Sequence, residues 1–186
     1  MLRRGGAPVT QAQHLAACHP WLGERATRAL AAWRLGSQTG ESIRIVESVR
    51  DVATQQRYYS EGKSRADGTT TWSLHQFSPA LALDVAVLRG GTYVARARDP
   101  VWGRWGAAAE AEGLEWGGRW TSLVDAPHVQ VPMGERVRIV QRAVGATPDG
   151  IWGPATMAAV CARVPLRVGR SGWASLTPTT WAVLMG

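Results

Sequence analysis

Two histidines and two aspartates stand in two separated segments of the chain, and their side chains are of the types that bind a catalytic metal. The first segment contains His75 and Asp84, and the second contains Asp125 and His128. A catalytic zinc ion takes three nitrogen or oxygen ligands from the protein and keeps a fourth position open for water. His75, Asp84 and His128 can supply these ligands, while Asp125 is placed to accept a proton from the attacking water. The pattern therefore predicts hydrolysis.

The surroundings of the two aspartates differ. Asp84 lies within the apolar run 81–88, where a carboxylate is costly to bury unless it is paired or bound to a metal. This favours a ligand role for Asp84. Asp125 stands two residues before a proline, where an ordinary turn residue is the alternative to a catalytic base.

Three further ionisable residues are predicted to lie outside the site. His14 and His19 are five positions apart in an alanine-rich helical pattern, so they do not share one helical face. Both are therefore interpreted as structural. Glu115 lies outside the short aspartate-x-x-histidine unit and is interpreted as a charge at the edge of a loop.

Three short motifs follow one another along the chain: Ser73-x-His75, Ala82-x-Asp84 and Asp125-x-x-His128. Their order resembles that in the superfamily of zinc D,D-carboxypeptidases and L-alanyl-D-glutamate endopeptidases, which cut peptidoglycan stem peptides. The similarity extends upstream to residues 43–64 and downstream through 113–118. It implies that Zn²⁺ is bound by His75, Asp84 and His128, with Asp125 as catalytic base. It also implies a set of substrate-binding residues, namely Arg50, Gln55, Ser73 and Trp120.

Two departures from the family pattern are visible. Asp84 follows His75 by nine residues where seven is usual, and a longer turn at 77–80 is expected to absorb the difference. Arg119 stands where relatives often carry an acidic residue, and it is expected to alter the rim of the cleft. The assignment of Arg50 rests on its place in the family pattern and on its planar guanidinium, which matches a carboxylate bidentately.

Composition narrows the class of protein. The 186 residues are 45% hydrophobic and include 10 tryptophans, enough for a medium domain with a small appendage. There is no apolar stretch long enough to predict a transmembrane helix. The formal net charge of +7 favours anionic partners. Because the arginines are scattered and no nucleic-acid-binding module is recognisable, cell-wall material is preferred to a specific nucleic acid.

The expected location follows from the resemblance. The first residues carry positive charge but no apolar segment of signal-peptide length. Similarity to phage endolysins then implies an enzyme that stays in the host cytoplasm until it is released to the wall. A monomer is expected, and two isolated cysteines do not indicate a disulfide framework.

The elements that must position the site are predicted as α+β, a small antiparallel sheet flanked by helices. Thr10 is expected to cap an opening helix, and a second helix covers 23–35. Strands are predicted at 43–48, 81–88, 92–95 and 129–131. Asp99 and Pro100 are expected to start a helix that ends at Gly113.

The character of the sequence changes after residue 132, which predicts a catalytic domain over 1–132 and an all-α, three-helix domain over 133–186. The turn from Asp149-Gly150 to Thr156 resembles that of peptidoglycan-binding domains appended to wall hydrolases. Thr177 is expected to open the third helix, and the stretch 165–175 is poorly patterned. Trp152 is a candidate wall-binding residue, with a role in the small core as the favoured alternative.

The leading hypothesis is a zinc peptidase that cuts the L-Ala-D-Glu bond of peptidoglycan stem peptides. A D-alanyl-D-alanine carboxypeptidase is the alternative within the same family. A non-catalytic wall-binding or virion protein is the alternative from another class, and a nucleic-acid-binding protein, suggested by charge alone, is the weakest.

Overall fold

A computed structural model describes residues 9–164 and 172–186 of the chain. Residues 1–8, on which the expectation about a signal peptide rests, and most of the poorly patterned stretch 165–175 lie outside this range. The helices are α1 (Gln11–Ala17), α2 (Pro20–Leu35), α3 (Val52–Ser60), α4 (Pro100–Ala111), α5 (Met133–Val144), α6 (Pro154–Arg163) and α7 (Pro178–Met185). The strands are β1 (Glu41–Glu47), β2 (Ala82–Arg89), β3 (Thr92–Tyr93), β4 (Glu115–Trp116) and β5 (His128–Gln130).

All strand pairs are antiparallel, and the order across the sheet is β1-β2-β5-β4, with the short β3 paired to β2. The α+β class with a small antiparallel sheet flanked by helices is therefore confirmed. Leu83, Val87 and Val129 are fully buried on the face covered by helices. Asp84 and His128, at the alternate positions, point to the opposite face, because side chains alternate along a strand.

The helix starts follow their capping residues. Thr10 forms a capping box with Gln13 at the start of α1, and Asp99 accepts from the backbone N–H of Val101 at the start of α4. Helix α2 begins at Pro20, three residues earlier than predicted, because His19 serves as its N-cap and accepts from the N–H of Trp21. His19 is thus a structural residue, as expected.

The carboxy-terminal helices are present as predicted, and the turn between α5 and α6 is organised by one buried glutamine. The Gln141 amide donates to Asp149 Oδ1 at 2.7 Å and to Thr156 Oγ1 at 2.9 Å, while its carbonyl accepts from the N–H of Gly150. Gly150 adopts a positive φ of 80°, which glycine tolerates without strain. This network explains why the turn carries Asp, Gly and Thr at fixed positions.

No helix in the described ranges is both long and apolar enough to cross a membrane.

Candidate metal centre and active site

The register of the central strands places two of the predicted metal ligands side by side. Asp84 on β2 is directly opposite His128 on β5, and Glu47 at the end of β1 is opposite Asp84 on the other side. Opposed residues of antiparallel strands hold their side chains within contact distance on one face. Asp84 therefore reaches the site despite the two extra residues in the loop before β2.

His75 comes from a different kind of element, a short 3-10 turn over Leu74–Gln76. Ser73 caps this turn by accepting from the His75 N–H at 3.4 Å, and the His75 carbonyl accepts from the Arg50 N–H at 2.8 Å. These bonds fix the turn against the chain that follows β1. They bring the His75 ring over the β2–β5 pair.

Three donor atoms converge on one point. His75 Nε2 lies 3.2 Å from His128 Nδ1 and 3.4 Å from Asp84 Oδ2, and His128 Nδ1 lies 2.9 Å from Asp84 Oδ1. Among the described residues, these three form the group whose ligand atoms are close enough to hold a metal ion. Zinc ligands lie about 2.0 to 2.2 Å from the metal, so donors at these separations fit one shared ion. Two nitrogens and one carboxylate match the chemistry of a catalytic zinc site.

The outer nitrogen of each histidine has its own acceptor. His75 Nδ1 donates to the Ser48 carbonyl at 2.8 Å, and His128 Nε2 donates to Gln130 Oε1 at 3.0 Å. Each bond fixes the neutral tautomer that leaves the inner nitrogen free to bind a metal. Neither Ser48 nor Gln130 was identified from sequence, because neither residue type nor spacing distinguishes them.

Glu115 is more than a charge at the edge of a loop, and that interpretation is corrected by its contacts. Its Oε1 accepts from Gln130 Nε2 at 2.8 Å and from Trp120 Nε1 at 3.1 Å. By holding the Gln130 amide nitrogen, Glu115 turns the amide oxygen toward His128. A weak signal for this role was available, since Glu115 precedes the Trp-Gly-Gly sequence that resembles the family.

Asp125 lies in the cleft beside the donor group, in the loop that leads into β5. Burial, together with the charge of Asp84, raises the pKa of the Asp125 carboxyl. Burial alone would also raise the pKa of Asp84, but its electrostatic interactions and hydrogen bonds with His75 and His128 hold it well below its usual range. The two carboxyls therefore differ in basicity.

The loop before Asp125 packs on the Gly-Gly pair. A Cβ on Gly117 would lie 2.6 Å from the Asp125 carbonyl and 3.1 Å from the His128 Cβ. The Asp125 N–H donates to the Gly117 carbonyl at 3.1 Å. Glycine at this position lets the two segments approach, and the approach holds Asp125 next to His128.

The predicted substrate-binding residues occupy different places. Arg50, Ser73 and Trp120 line a cleft of about 920 Å³ that contains the donor group. The Arg50 guanidinium contacts Glu47 and donates to Asp84 Oδ2 at 3.3 Å, and the Trp120 ring centre lies 5.0 Å from that of His128. These positions are compatible with substrate contact.

Gln55 does not reach the cleft, which corrects its predicted contact with substrate. Its side chain is fully buried, where it accepts from Arg50 Nη1 at 2.8 Å and donates to Ser64 Oγ at 2.8 Å. From this position Gln55 supports Arg50 and the segment of Ser64, both of which line the cleft. Trp152, the candidate wall-binding residue, is half-buried and packs against the hydrophobic core, as its alternative interpretation expects.

His14, which was predicted to lie outside the site, makes a structural contact. His14 Nδ1 lies 3.0 Å from Ser48 Oγ, so this histidine braces the segment whose carbonyl orients His75. Arg119, which is expected to alter the rim of the cleft, is exposed and pairs with Glu110 at 2.9 Å.

Comparisons with known proteins agree with this geometry. Residues 67–131, which include all the donor residues and Asp125, match the sequence profile of the D-alanyl-D-alanine carboxypeptidase family. The fold is similar to that of the L-Ala D-Glu endopeptidase ChiX of Serratia marcescens, with a TM-score of 0.53 and 21% sequence identity. The similarity covers 70% of this chain and 92% of the ChiX chain. The stretch that carries the donor residues and Asp125 is thus similar in sequence to this peptidase family, and the fold around it is similar to that of ChiX.

Proposed function

We propose that this protein is a zinc peptidase that hydrolyses a bond in the stem peptides of bacterial peptidoglycan. The observation that carries the proposal is the convergence of His75 Nε2, Asp84 and His128 Nδ1 in an open cleft, with the outer nitrogen of each ring already fixed. Three ligands leave a coordination position for water or substrate, whereas purely structural zinc sites are closed by four. This difference favours the enzyme over the non-catalytic wall-binding protein.

The residues around the donor group have separable tasks. Zinc bound there would supply Lewis-acid activation of water and of the scissile carbonyl. Asp125 accepts the proton of the attacking water and can return it to the leaving amine. Arg50 holds a carboxylate of the substrate, since a guanidinium presents paired donors to it. Trp120 forms a wall of the cleft above His128.

We further propose that the bond is L-Ala-D-Glu. The shared fold with an enzyme described as an L-Ala D-Glu endopeptidase and the resemblance of residues 55–63 to endopeptidases of phage lysins support this choice. The matched family is described as D-alanyl-D-alanine carboxypeptidase, which keeps that activity as the second candidate.

The test is mass spectrometry of fragments released from purified meso-diaminopimelate peptidoglycan, with and without a zinc chelator. New stem peptides that begin at D-glutamate and vanish with the chelator are expected. Release of terminal D-alanine alone would move the assignment to the carboxypeptidase. No product from protein verified to contain zinc would favour a binding role.

The biological setting we propose is that of a phage endolysin, a monomer held in the host cytoplasm and then released to the wall. It is tested by adding the protein to bacteria with a permeabilised outer membrane and following turbidity. Clearing by the wild type but not by an Asp125→Asn variant is expected. We also propose that residues 133–186 bind the wall, and co-sedimentation of the full-length Asp125→Asn variant with purified wall is expected.

A further inference from the structure

Arg136 is a buried cation in the wall of the cleft. It lies in the first turn of α5 and is only 8% exposed, yet it lines the same cleft as the donor group. Its Nε is buried without a hydrogen-bond partner in the described part of the chain. The carboxylate that it approaches is Glu115, whose Oε2 lies 3.9 Å from Arg136 Nη2, beyond hydrogen-bond distance.

Glu115 is a poor counter-ion for this guanidinium, because its Oε2 lies beyond hydrogen-bond distance and its Oε1 accepts from Gln130 and Trp120. Burial lowers the pKa of Arg136, with Glu115 opposing that effect, as expected of a cation short of neighbouring negative charge. A buried charge is costly unless it is paired and hydrogen-bonded. A negatively charged group entering the cleft would supply the missing partner.

The position of Arg136 complements that of Arg50. Arg50 follows β1 at one edge of the sheet, whereas Arg136 approaches Glu115 on β4 at the other edge. The metal-ligating residues of β2 and β5 lie between these edges. The Trp173 ring, 5.5 Å from the Arg136 guanidinium carbon, supports the side chain from the carboxy-terminal segment. The cleft thus has an arginine on each side of its centre.

We propose that Arg136 binds a free carboxylate of the stem peptide, so that the carboxy-terminal segment contributes directly to substrate recognition. The proposal rests on the proposed function, since it takes the stem peptide as ligand. Stem peptides carry free carboxylates on D-glutamate and on diaminopimelate, and a guanidinium fork pairs with either one. Arg50 and Arg136 would then hold the peptide at two points across the reacting bond.

The test measures peptide binding by tryptophan fluorescence, because Trp120 and Trp173 line the cleft. The protein is full-length, is loaded with zinc and carries Asp125→Asn to slow hydrolysis of the peptide. Mass spectrometry verifies that the peptide stays intact during the measurement. The ligands are L-Ala-γ-D-Glu-meso-diaminopimelate and three analogues, each with one carboxylate converted to an amide, namely that of D-glutamate or either of the two on diaminopimelate. When this protein retains Arg136, one of the amidations is expected to weaken peptide binding roughly 10-fold or more.

Adding Arg136→Gln is expected to weaken binding of the parent peptide by a similar factor and to abolish the effect of that amidation. Arg136→Lys is expected to recover part of the difference, because it keeps the charge but loses the paired donors. Arg142→Gln is the matched control, an exposed arginine of the same helix paired with Glu135, and it should leave the amidation effect intact.

Two results would overturn the proposal: equal binding of all four peptides by the protein that retains Arg136, or an unchanged amidation effect in Arg136→Gln. If Arg136→Gln does not fold, Arg136→Lys is the deciding variant. The proposal is overturned if amidation weakens peptide binding by the same factor in Arg136→Lys as in the protein that retains Arg136. Failure of the proposed function gives a different result, namely no hydrolysis by the zinc-loaded wild type while the amidation effect on binding persists.

Discussion

At the scale of single residues, the nitrogens that face away from the donor group decide whether the inner ones can bind metal. The Ser48 carbonyl and the Gln130 amide each accept from an outer ring nitrogen. Glu115 in turn fixes the orientation of Gln130. Such outer contacts typically contribute 10- to 100-fold to metal affinity, although they never touch the metal.

Replacing Gln130 by leucine removes the acceptor for His128 Nε2–H and leaves the ring free to rotate or to change tautomer. The apparent zinc affinity of Gln130→Leu is therefore expected to fall roughly 10- to 100-fold. Competition with a fluorescent chelator measures this. Gln38→Leu, at an exposed site, is the control, and equal affinities for the two variants would show that Gln130 does not orient the ligand.

Asp125 is predicted to act on the proton of water and not on the metal. Asp125→Asn should retain zinc while kcat falls by about 100-fold or more, the usual contribution of a general base. His128→Ala should instead lose zinc, because a ligand is removed. Metal content by mass spectrometry and hydrolysis rates on purified peptidoglycan distinguish the two variants. Loss of zinc from Asp125→Asn would show that Asp125 is a metal ligand.

Zinc affinity should fall in acid. Burial tends to lower the pKa of His128, but its hydrogen bond and charge interaction with Asp84 outweigh burial and raise it. A raised pKa keeps the proton on the ring to higher pH, and a metal must displace that proton. Equilibrium dialysis between about pH 5 and 8 should show affinity declining as pH drops through this raised pKa. A flat profile would contradict the assignment of His128 as ligand.

At the scale of elements, one tryptophan joins helix α4 to the loop that carries Asp125. Trp116 lies between two glycines, since a Cβ on Gly106 would fall 2.2 Å from its ring and a Cβ on Gly118 would fall 2.1 Å from it. The Trp116 Nε1 donates to the Ala126 carbonyl at 2.8 Å. The absence of side chains at both glycines thus positions the loop next to the site.

Two glycine-to-alanine changes in α4 should have opposite effects. Gly106→Ala forces a methyl group into the Trp116 ring, so it should destabilise the fold by about 1 to 3 kcal/mol and lower activity through the displaced loop. At Gly103 an added Cβ meets nothing within 4 Å, and alanine should stabilise this exposed position by up to about 1 kcal/mol. Denaturant unfolding measures the free energy of unfolding of both variants. Equal changes in the two would show that the contact with the Trp116 ring is unimportant.

At the scale of the whole molecule, the two predicted domains share their packing. Trp181 of α7 donates to the Pro79 carbonyl at 3.1 Å, and its ring and that of Trp173 contact Phe77 in the loop between His75 and Asp84. The buried residues of both segments form one hydrophobic cluster. The division at residue 132 therefore separates two sequence segments that pack closely together in the structure.

This packing predicts one cooperative unfolding transition for the full chain. Trp181→Ala should destabilise the protein by about 3 to 5 kcal/mol, because a fully buried ring and its hydrogen bond are removed. Calorimetry should show a single transition that moves to lower temperature, with activity lost in the same range. Val183→Ala, exposed on the same helix, is the control, and two separate transitions in the wild type would contradict the shared core.

The sequence by itself predicted most of the helices and strands in their order, though not β4, and the three metal-ligating candidates, because these follow from periodicity, capping residues and a recognisable motif. The strand register that sets Asp84 against His128 was decided only by the tertiary structure, since it depends on pairing between distant segments. The roles of Gln130, Glu115 and Gln55 were also decided there, because a common polar side chain acquires its task from its neighbours in space. The same reason placed Arg136 in the wall of the cleft.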